Sequence, residues 1–462
     1  MKRYLKFILP FLCFIVSFAL IFTVVKIGVL PNKYLILLLG LILLFLMIIE
    51  FLLLFPKKWM RILGTVLGII SILVNGVGVY YLYQTDYFLN QAFSGKVIET
   101  TNYCIIALNG TDRNIPDESK VIYYEKLYQK DKIIDLLNEN YSFQFEAYSS
   151  LNDMIEDILN QKEKYMLVEA TSYHILEQFD SRIDENLMIL NTYSIKEEKE
   201  TKAKNQQSTN IFLLGNDFSG LNDFNMIVTI NQKKKRILLT TITRDFRIPV
   251  HGYEGQEDNL EYMAPLGIDT SIASLEDFFE IDIDYYVRIN VDSVVKVVDT
   301  IGGITYCSDF DYWSNTSNAH NKNGKSFHVI KGCQEVDGYK ALAIARERKK
   351  IPGSDIARQN NIRKILLAIF DKIKTTDSLK NYAELLDALS DTYETTIPRS
   401  YMNQMAKELL SENSKWTIEE NFVYGDEIIG MVHLGTVRDY TMIPNPESVQ
   451  DAKDKIKNIG RK

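Results

Sequence analysis

Histidine is scarce in this chain, with five in 462 residues, and none falls in the charged clusters discussed below. Histidine base catalysis and histidine metal centres are therefore set aside. Cysteine is scarcer still, at four, and no CxxC spacing offers a thiolate zinc site. Cys13 lies in a long apolar run and Cys104 in a strand-like one, so both read as small hydrophobes. Cys307 and Cys333 flank what reads as a loop between two strand edges, in a part of the chain where a disulfide persists; a bridge and two free thiols are both open there. An excess of basic residues is also missing. The net charge is −8, which gives no reason to expect a nucleic-acid partner.

What the chain has in abundance is long apolar runs at its start. "FILPFLCFIVSFALIFTVV", "YLILLLGLILLFLMIIEFLLLF" and "ILGTVLGIISILVNGVGVYYL" are each long enough to cross a hydrocarbon core as a helix, so residues 1–85 read as three transmembrane helices. No small-residue cleavage site follows the first run, and two further spans come directly after it, which argues against a signal peptide. Lys2, Arg3 and Lys6 precede the first span and Lys57, Lys58 and Arg61 fill the second loop, whereas the first loop carries only Lys26 and Lys33. The positive-inside rule then puts the N-terminus in the cytoplasm and everything after about residue 85 outside. Glu50 reads as a residue that reaches the headgroups, and Asn75 as a contact between helices.

Beyond the spans, residues 97–195 alternate short apolar runs with amphipathic stretches, which predicts a small extracellular α/β domain with mainly parallel strands. No Gly-rich phosphate loop stands out in it, and a spacer or partner-binding module is the plainer expectation. "KEEKETKAKNQQSTN", within residues 196–209, reads as a linker. From 210 to 462 strands and helices interleave again, predicting an α/β/α sandwich with a core over 210–374 and an extension over 375–462.

In this second domain charge gathers where elements end. Asp217 follows the strand "IFLLGN", and Asp223 lies six residues on. Arg244 and Asp245 close the strand "ILLTTIT". Arg346 and Arg348 end an apolar helix, and Asp355, Arg358 and Gln359 begin another. Open α/β sheets place ligand sites at such ends. Arginine suits phosphate because its planar guanidinium keeps its charge and donates paired hydrogen bonds. Carboxylates beside it would repel that ligand unless a hard cation bridges them, and magnesium binds through one or two carboxylates, water and phosphate oxygens. The pattern points to a pyrophosphate with a divalent metal. Taken singly, an Arg-Asp pair at a strand end is more often a structural ion pair.

These segments, "NIFLLGND", "TTITRDFRIPV", "DIDYYVRINVDSVVKVVDTIGGI", "KGCQEVDGYKALAIARERK" and "GSDIARQ", resemble the LytR-CpsA-Psr family of membrane-anchored cell-wall glycopolymer transferases. The three spans with a small extracellular domain resemble its capsule-associated branch. The resemblance implies a membrane enzyme that moves a glycopolymer, capsular polysaccharide ahead of teichoic acid, from a polyprenyl-pyrophosphate carrier to peptidoglycan. It further implies Mg²⁺ or Mn²⁺ on Asp217 and Asp223, with pyrophosphate on Arg244, Arg346, Arg348, Arg358 and Gln359. Asp217 and Asp245 both stand open as the base, and the lipid tail is expected in an apolar groove of the same domain. Three departures accompany the match: Leu221-Asn222-Asp223 stands where the family has Arg-Ser-Asp, a basic residue usual near Asn259 is absent, and Asn361, Ile362 and Arg363 follow where a second arginine and glutamines are usual. They motivate a contrasting expectation, a noncatalytic sensor or scaffold that binds polyprenyl lipid or capsule-assembly proteins.

Overall fold

The computed structural model describes residues 5–200, 208–216, 220–290, 293–315, 326–373, 382–390, 392–410 and 416–459. It begins with three helices long and apolar enough to cross a membrane: α1 (Leu5–Ile27), α2 (Asn32–Leu54) and α3 (Lys58–Ala92). Small residues let them approach closely. A Cβ on Gly64 would lie 2.9 Å from the Leu52 Cβ, and one on Gly68 would lie 3.0 Å from Leu9. Asn75 donates to Ser17 across the helices at 2.9 Å, so it joins helices as the sequence suggests. Glu50 is exposed near the end of α2.

Helix α3 does not stop near residue 85 but continues to Ala92. Its last turns carry Asp86, 4% exposed, which accepts from Lys26 at 2.7 Å and from Arg399 at 2.6 Å. Asn403 adds a hydrogen bond to the Ile27 carbonyl at 2.8 Å. The helical bundle is thus fastened to the larger domain by a buried carboxylate with two cationic partners.

The small domain is a five-stranded sheet in the order β3-β2-β4-β1-β5. Its strands are β1 (Lys96–Leu108), β2 (Lys120–Tyr124), β3 (Gln144–Tyr148), β4 (Tyr165–Glu169) and β5 (Leu187–Glu200); α4 (Lys130–Asn138), α5 (Leu151–Leu159), α6 (Ala170–Phe179) and α7 (Ser181–Asn186) connect them. The sheet is mixed rather than mainly parallel, since β1 runs antiparallel to both β4 and β5. The expected linker is also shorter than its composition implied. Residues 196–200 are strand, paired with 96–100, a ribbon whose one face, carrying Val97 and Glu99, is buried while the other is exposed; residues 201–207 lie outside the described residues.

The larger domain is built on a six-stranded sheet whose first strands are β6 (Thr209–Asn216), β7 (Asn222–Asn231) and β8 (Arg236–Ile242). The short pair β9 (Arg247–Pro249) and β10 (Glu257–Asn259), helix α8 (Ile268–Phe279), strand β11 (Tyr285–Asn290), helix α9 (Val294–Thr300) and strand β12 (Ile304–Ser308) follow. Then come β13 (Tyr312–Trp313), β14 (His328–Val329), β15 (Gly332–Val336), α10 (Gly338–Arg346), α11 (Ser354–Ile373), α12 (Tyr382–Ser390), β16 (Tyr393–Thr395), α13 (Arg399–Leu410), β17 (Thr417–Val423), β18 (Gly425–Val432), β19 (Val437–Pro444) and α14 (Pro446–Asn458). The order is β16-β11-β6-β7-β8-β17.

Period-two patterning divides the apolar residues between two faces. Phe212, Leu214 and Ile227 meet Leu275 and Phe279 of α8 and Ala452 and Ile456 of α14 on one side. On the other, Phe224 and Met226 meet Val298 of α9, Ala341 and Ile344 of α10, and Ile362 and Ile365 of α11. This is the α/β/α sandwich the sequence predicts. The tail contributes β17, which pairs in parallel with β8 at the sheet edge. Cys307 of β12 sits opposite Cys333 of β15, and the two are joined by a disulfide.

Candidate active site

Three strand ends meet at one end of the large sheet, on its interior strands. β6 ends at Asn216, β7 starts beside it at Asn222, and β8 ends at Ile242. The register that pairs Asn225 with Ile242, extended by two residues, sets Asp223 opposite Arg244. Arg244 Nη1 donates to Asp223 Oδ1 at 2.6 Å. Helix α11 approaches the same atom from below. Asp355, Arg358 and Gln359 share one helical face, and Arg358 donates to Asp223 Oδ1 at 3.0 Å and to its carbonyl at 2.9 Å. Gln359 reaches that carbonyl at 2.9 Å and Asp355 at 3.2 Å, while Asp355 holds Arg358 at 2.6 Å.

Asp223 is buried, and burial alone would raise its pKa. Arg358 and Arg244 outweigh that and hold the carboxyl well below the usual carboxylate range. Arg244 in turn faces three carboxylates, with Glu261 at 3.2 Å and Asp245 at 3.4 Å completing the set. Asp245 is pushed up, chiefly by burial against the pull of Arg244. Arg348 lies 4.0 Å from Asp245, a loose contact from the segment after α10. Arg346 occupies the last turn of α10 and is half-buried.

The structure therefore brings together Asp223, Arg244, Asp245, Arg348, Arg358 and Gln359. Asp217 lies outside the described residues, on the short stretch between β6 and β7. Among the described residues no group of three or more His, Cys, Asp or Glu side chains is placed to hold a metal ion. Magnesium needs only one or two carboxylates, with water and phosphate oxygens completing its shell; of the two expected ligands Asp223 is described, and its Oδ1 is engaged by Arg244 and Arg358. A cavity of about 670 Å³ lies elsewhere, lined by Arg247, His251, Phe278 and Lys453 among others.

Glu261 was not singled out from the sequence. It is 2% exposed, and its backbone N–H donates to the Arg244 carbonyl at 3.0 Å. Burial raises its pKa well above the usual range, only partly opposed by Arg244 and reinforced by Asp245. Its sign in the sequence was a lone acid inside the apolar run "NLEYMAPLG".

The three departures have structural causes. Leu221 packs with Ile175 of α6 and with Tyr262, Val432 and Val437, so the position where the family has arginine here meets the small domain. Asn259 is fully buried, donating to the Tyr440 carbonyl at 2.8 Å and accepting from Thr441 at 2.6 Å. Asn361 accepts from Tyr306 at 2.7 Å, and Arg363 pairs with Glu420 of β17.

The chain thus joins three helices of membrane-spanning length and apolarity to an α/β/α sandwich with an arginine-carboxylate cluster at its strand ends. The LytR_cpsA_psr family model matches residues 179–447, and the chain belongs to that family. Among its relatives is the polyisoprenyl-teichoic acid–peptidoglycan teichoic acid transferase TagU of Bacillus mycoides, 29% identical over 230 residues, which span 49% of this chain and 71% of that protein. Biofilm regulatory protein A of Streptococcus mutans is 30% identical over 187 residues, 39% of this chain and 45% of that protein. Solved structures that align include B. subtilis TagV, at 22% identity, a TM-score of 0.45, and coverage of 55% of this chain and 98% of that one. Protein gbs0355 from Streptococcus agalactiae aligns at 25% identity and a TM-score of 0.46, over 55% and 87%.

Proposed function

We propose that this protein is an extracytoplasmic, membrane-anchored transferase that moves a glycopolymer from a polyprenyl-pyrophosphate carrier to peptidoglycan. The observation that carries it is the convergence of Arg244 and Arg358 on Asp223, beside Arg348 and Asp245, in a chain whose relatives include a protein named as a polyisoprenyl-teichoic acid–peptidoglycan transferase. Cargo is proposed as capsular polysaccharide ahead of teichoic acid.

In this mechanism Arg346 and Arg348, at the outer end of α10, bind the pyrophosphate, with Arg244 turning from its carboxylates to share it. Gln359 and Arg358 keep the Asp223 backbone and side chain in place. Asp217 and Asp223 would hold Mg²⁺ or Mn²⁺, which would supply positive charge to offset that of the pyrophosphate. A peptidoglycan sugar hydroxyl forms a bond to the phosphorus that carries the glycopolymer, and the bond from that phosphorus to the polyprenyl phosphate breaks. The hydroxyl proton goes to Asp245 or Asp217. The arginines stabilise the charge that develops on the departing phosphate, which is electrostatic catalysis.

One feature favours a second proposal, a noncatalytic lipid-binding sensor or scaffold: Arg244 is already matched by three acids. Retention of a radiolabelled short-chain prenyl pyrophosphate-linked saccharide by the detergent-solubilised full chain tests the site. Loss of retention in Arg244→Ala and Arg348→Ala is expected, and equal retention by both would contradict it.

A further inference from the structure

Beside the phosphate cluster lies a second cavity, about 160 Å³, walled by both domains. Glu99, Thr100 and Glu169 line it from the small sheet, and Asn216, Asn222 and Ser271 from the large domain. Asn216 and Asn222 are the ends of β6 and β7 that face this cavity, and Asn222 adjoins Asp223 in sequence. Thr171 lies against Gly220, where a Cβ would meet its Oγ1 at 3.4 Å.

The lining states what the cavity prefers. Arg288 is its cation among the described lining residues, and it is engaged by Glu99 at 3.2 Å and Glu394 at 3.1 Å. Two carboxylates and no uncommitted cation oppose a phosphate. Glu99 is 7% exposed, and its Oε2 has no hydrogen-bond partner; nor does the Oδ1 of Asn216. Unfilled buried acceptors call for donors. Burial pushes Glu169 up to about 7, against the helix-capping hydrogen bond it accepts from Ser172, so this group can donate as well as accept near neutral pH. Hydroxyl-rich, uncharged rings match that set.

We propose that this cavity is a saccharide subsite, in which the small domain supplies one wall of the active site and positions a sugar ring beside Asp223. The inference rests on the transferase reading for its purpose, and it gives residues 97–195 a role other than spacing. The shared chemistry, a neutral sugar ring rich in hydroxyls, could come from the acceptor glycan or from the first sugar of the cargo.

The test uses the full chain in detergent micelles and three probes: soluble disaccharide-peptide fragments of peptidoglycan, a prenyl-pyrophosphate-linked saccharide, and prenyl pyrophosphate without sugar. Thr100→Trp, at an exposed rim position, is expected to weaken one of the saccharide probes by about tenfold or more and to leave the sugar-free probe unchanged. Glu99→Gln, which keeps the shape while removing the carboxylate charge that faces Arg288, is expected to weaken the same probe by about threefold. Whichever saccharide is lost identifies the source. Both saccharides bound as tightly by the two variants as by the parent would overturn the subsite. Failure of the parent to bind sugar-free prenyl pyrophosphate would instead strike the transferase reading, and the peptidoglycan-fragment comparison would still judge the cavity.

Discussion

Asp223 and Arg244 meet at 2.6 Å across the ends of two neighbouring strands, and Arg358 reaches the same carboxylate oxygen at 3.0 Å from a helix more than a hundred residues later in the chain. One buried acid therefore holds a buried cation, Arg358, and a half-buried one, Arg244, and removing its charge leaves both under-compensated. Asp223→Asn is expected to destabilise the large domain by about 3–5 kcal/mol, read as a lowered thermal midpoint. Because the folded pKa is depressed below the ordinary value near 3.9, the parent has this stabilisation above about pH 4 and loses it as pH falls through the folded value. The variant should show a flatter acid limb; identical acid limbs would contradict the pairing.

Glu261 titrates in the opposite sense. Burial raises its pKa, so its contribution to stability is present below the ordinary glutamate range and is lost as pH rises through the folded value. Glu261→Gln is expected to be no less stable than the parent at pH 8. By removing one acid that competes for Arg244, it should also tighten prenyl pyrophosphate binding by about threefold to tenfold, an effect of roughly 1 kcal/mol. Titration calorimetry of the two proteins at pH 8 checks both the sign and the size.

The Cys307–Cys333 bridge closes a loop with a sequence separation of 26. In the chain-entropy account this stabilises by about 3–4 kcal/mol. Cys307→Ser with Cys333→Ser is expected to lower the denaturant midpoint accordingly, and reductant should bring the parent to the same value. No difference between oxidised and reduced parent would show that the loop is fixed by other contacts.

Gly267 has a φ of +87°, and a Cβ there would lie 2.3 Å from the Tyr128 ring of the small domain. Gly267→Ala combines backbone strain of about 1–3 kcal/mol with a clash at the domain junction. It should expose the junction to limited proteolysis, and a double variant with Tyr128→Ala should recover part of the loss.

The α/β/α sandwich was legible because its strands and helices keep their apolar periods, as in "FNMIVTI" and "NIRKILLAIF". The arginine cluster was legible because charge stood where apolar runs stopped. What period and composition could not convey was long-range pairing. "KEEKE" reads as linker by composition, yet it is ribbon because residues 96–100 lie opposite it. Leu221 looked like a missing arginine, and its purpose is set by Ile175 in another domain. Glu261 enters the site through a backbone bond to Arg244, a contact with no local signature.

The central claim is transfer, and it is tested most directly by release of polyprenyl phosphate from a polyprenyl-pyrophosphate-linked saccharide given to the full chain with a peptidoglycan acceptor and Mg²⁺. Release that requires acceptor and metal, and that falls by about a hundredfold or more in Arg244→Ala, is the predicted result. Tight binding of the donor by folded protein, with no release under any of these conditions, would contradict it.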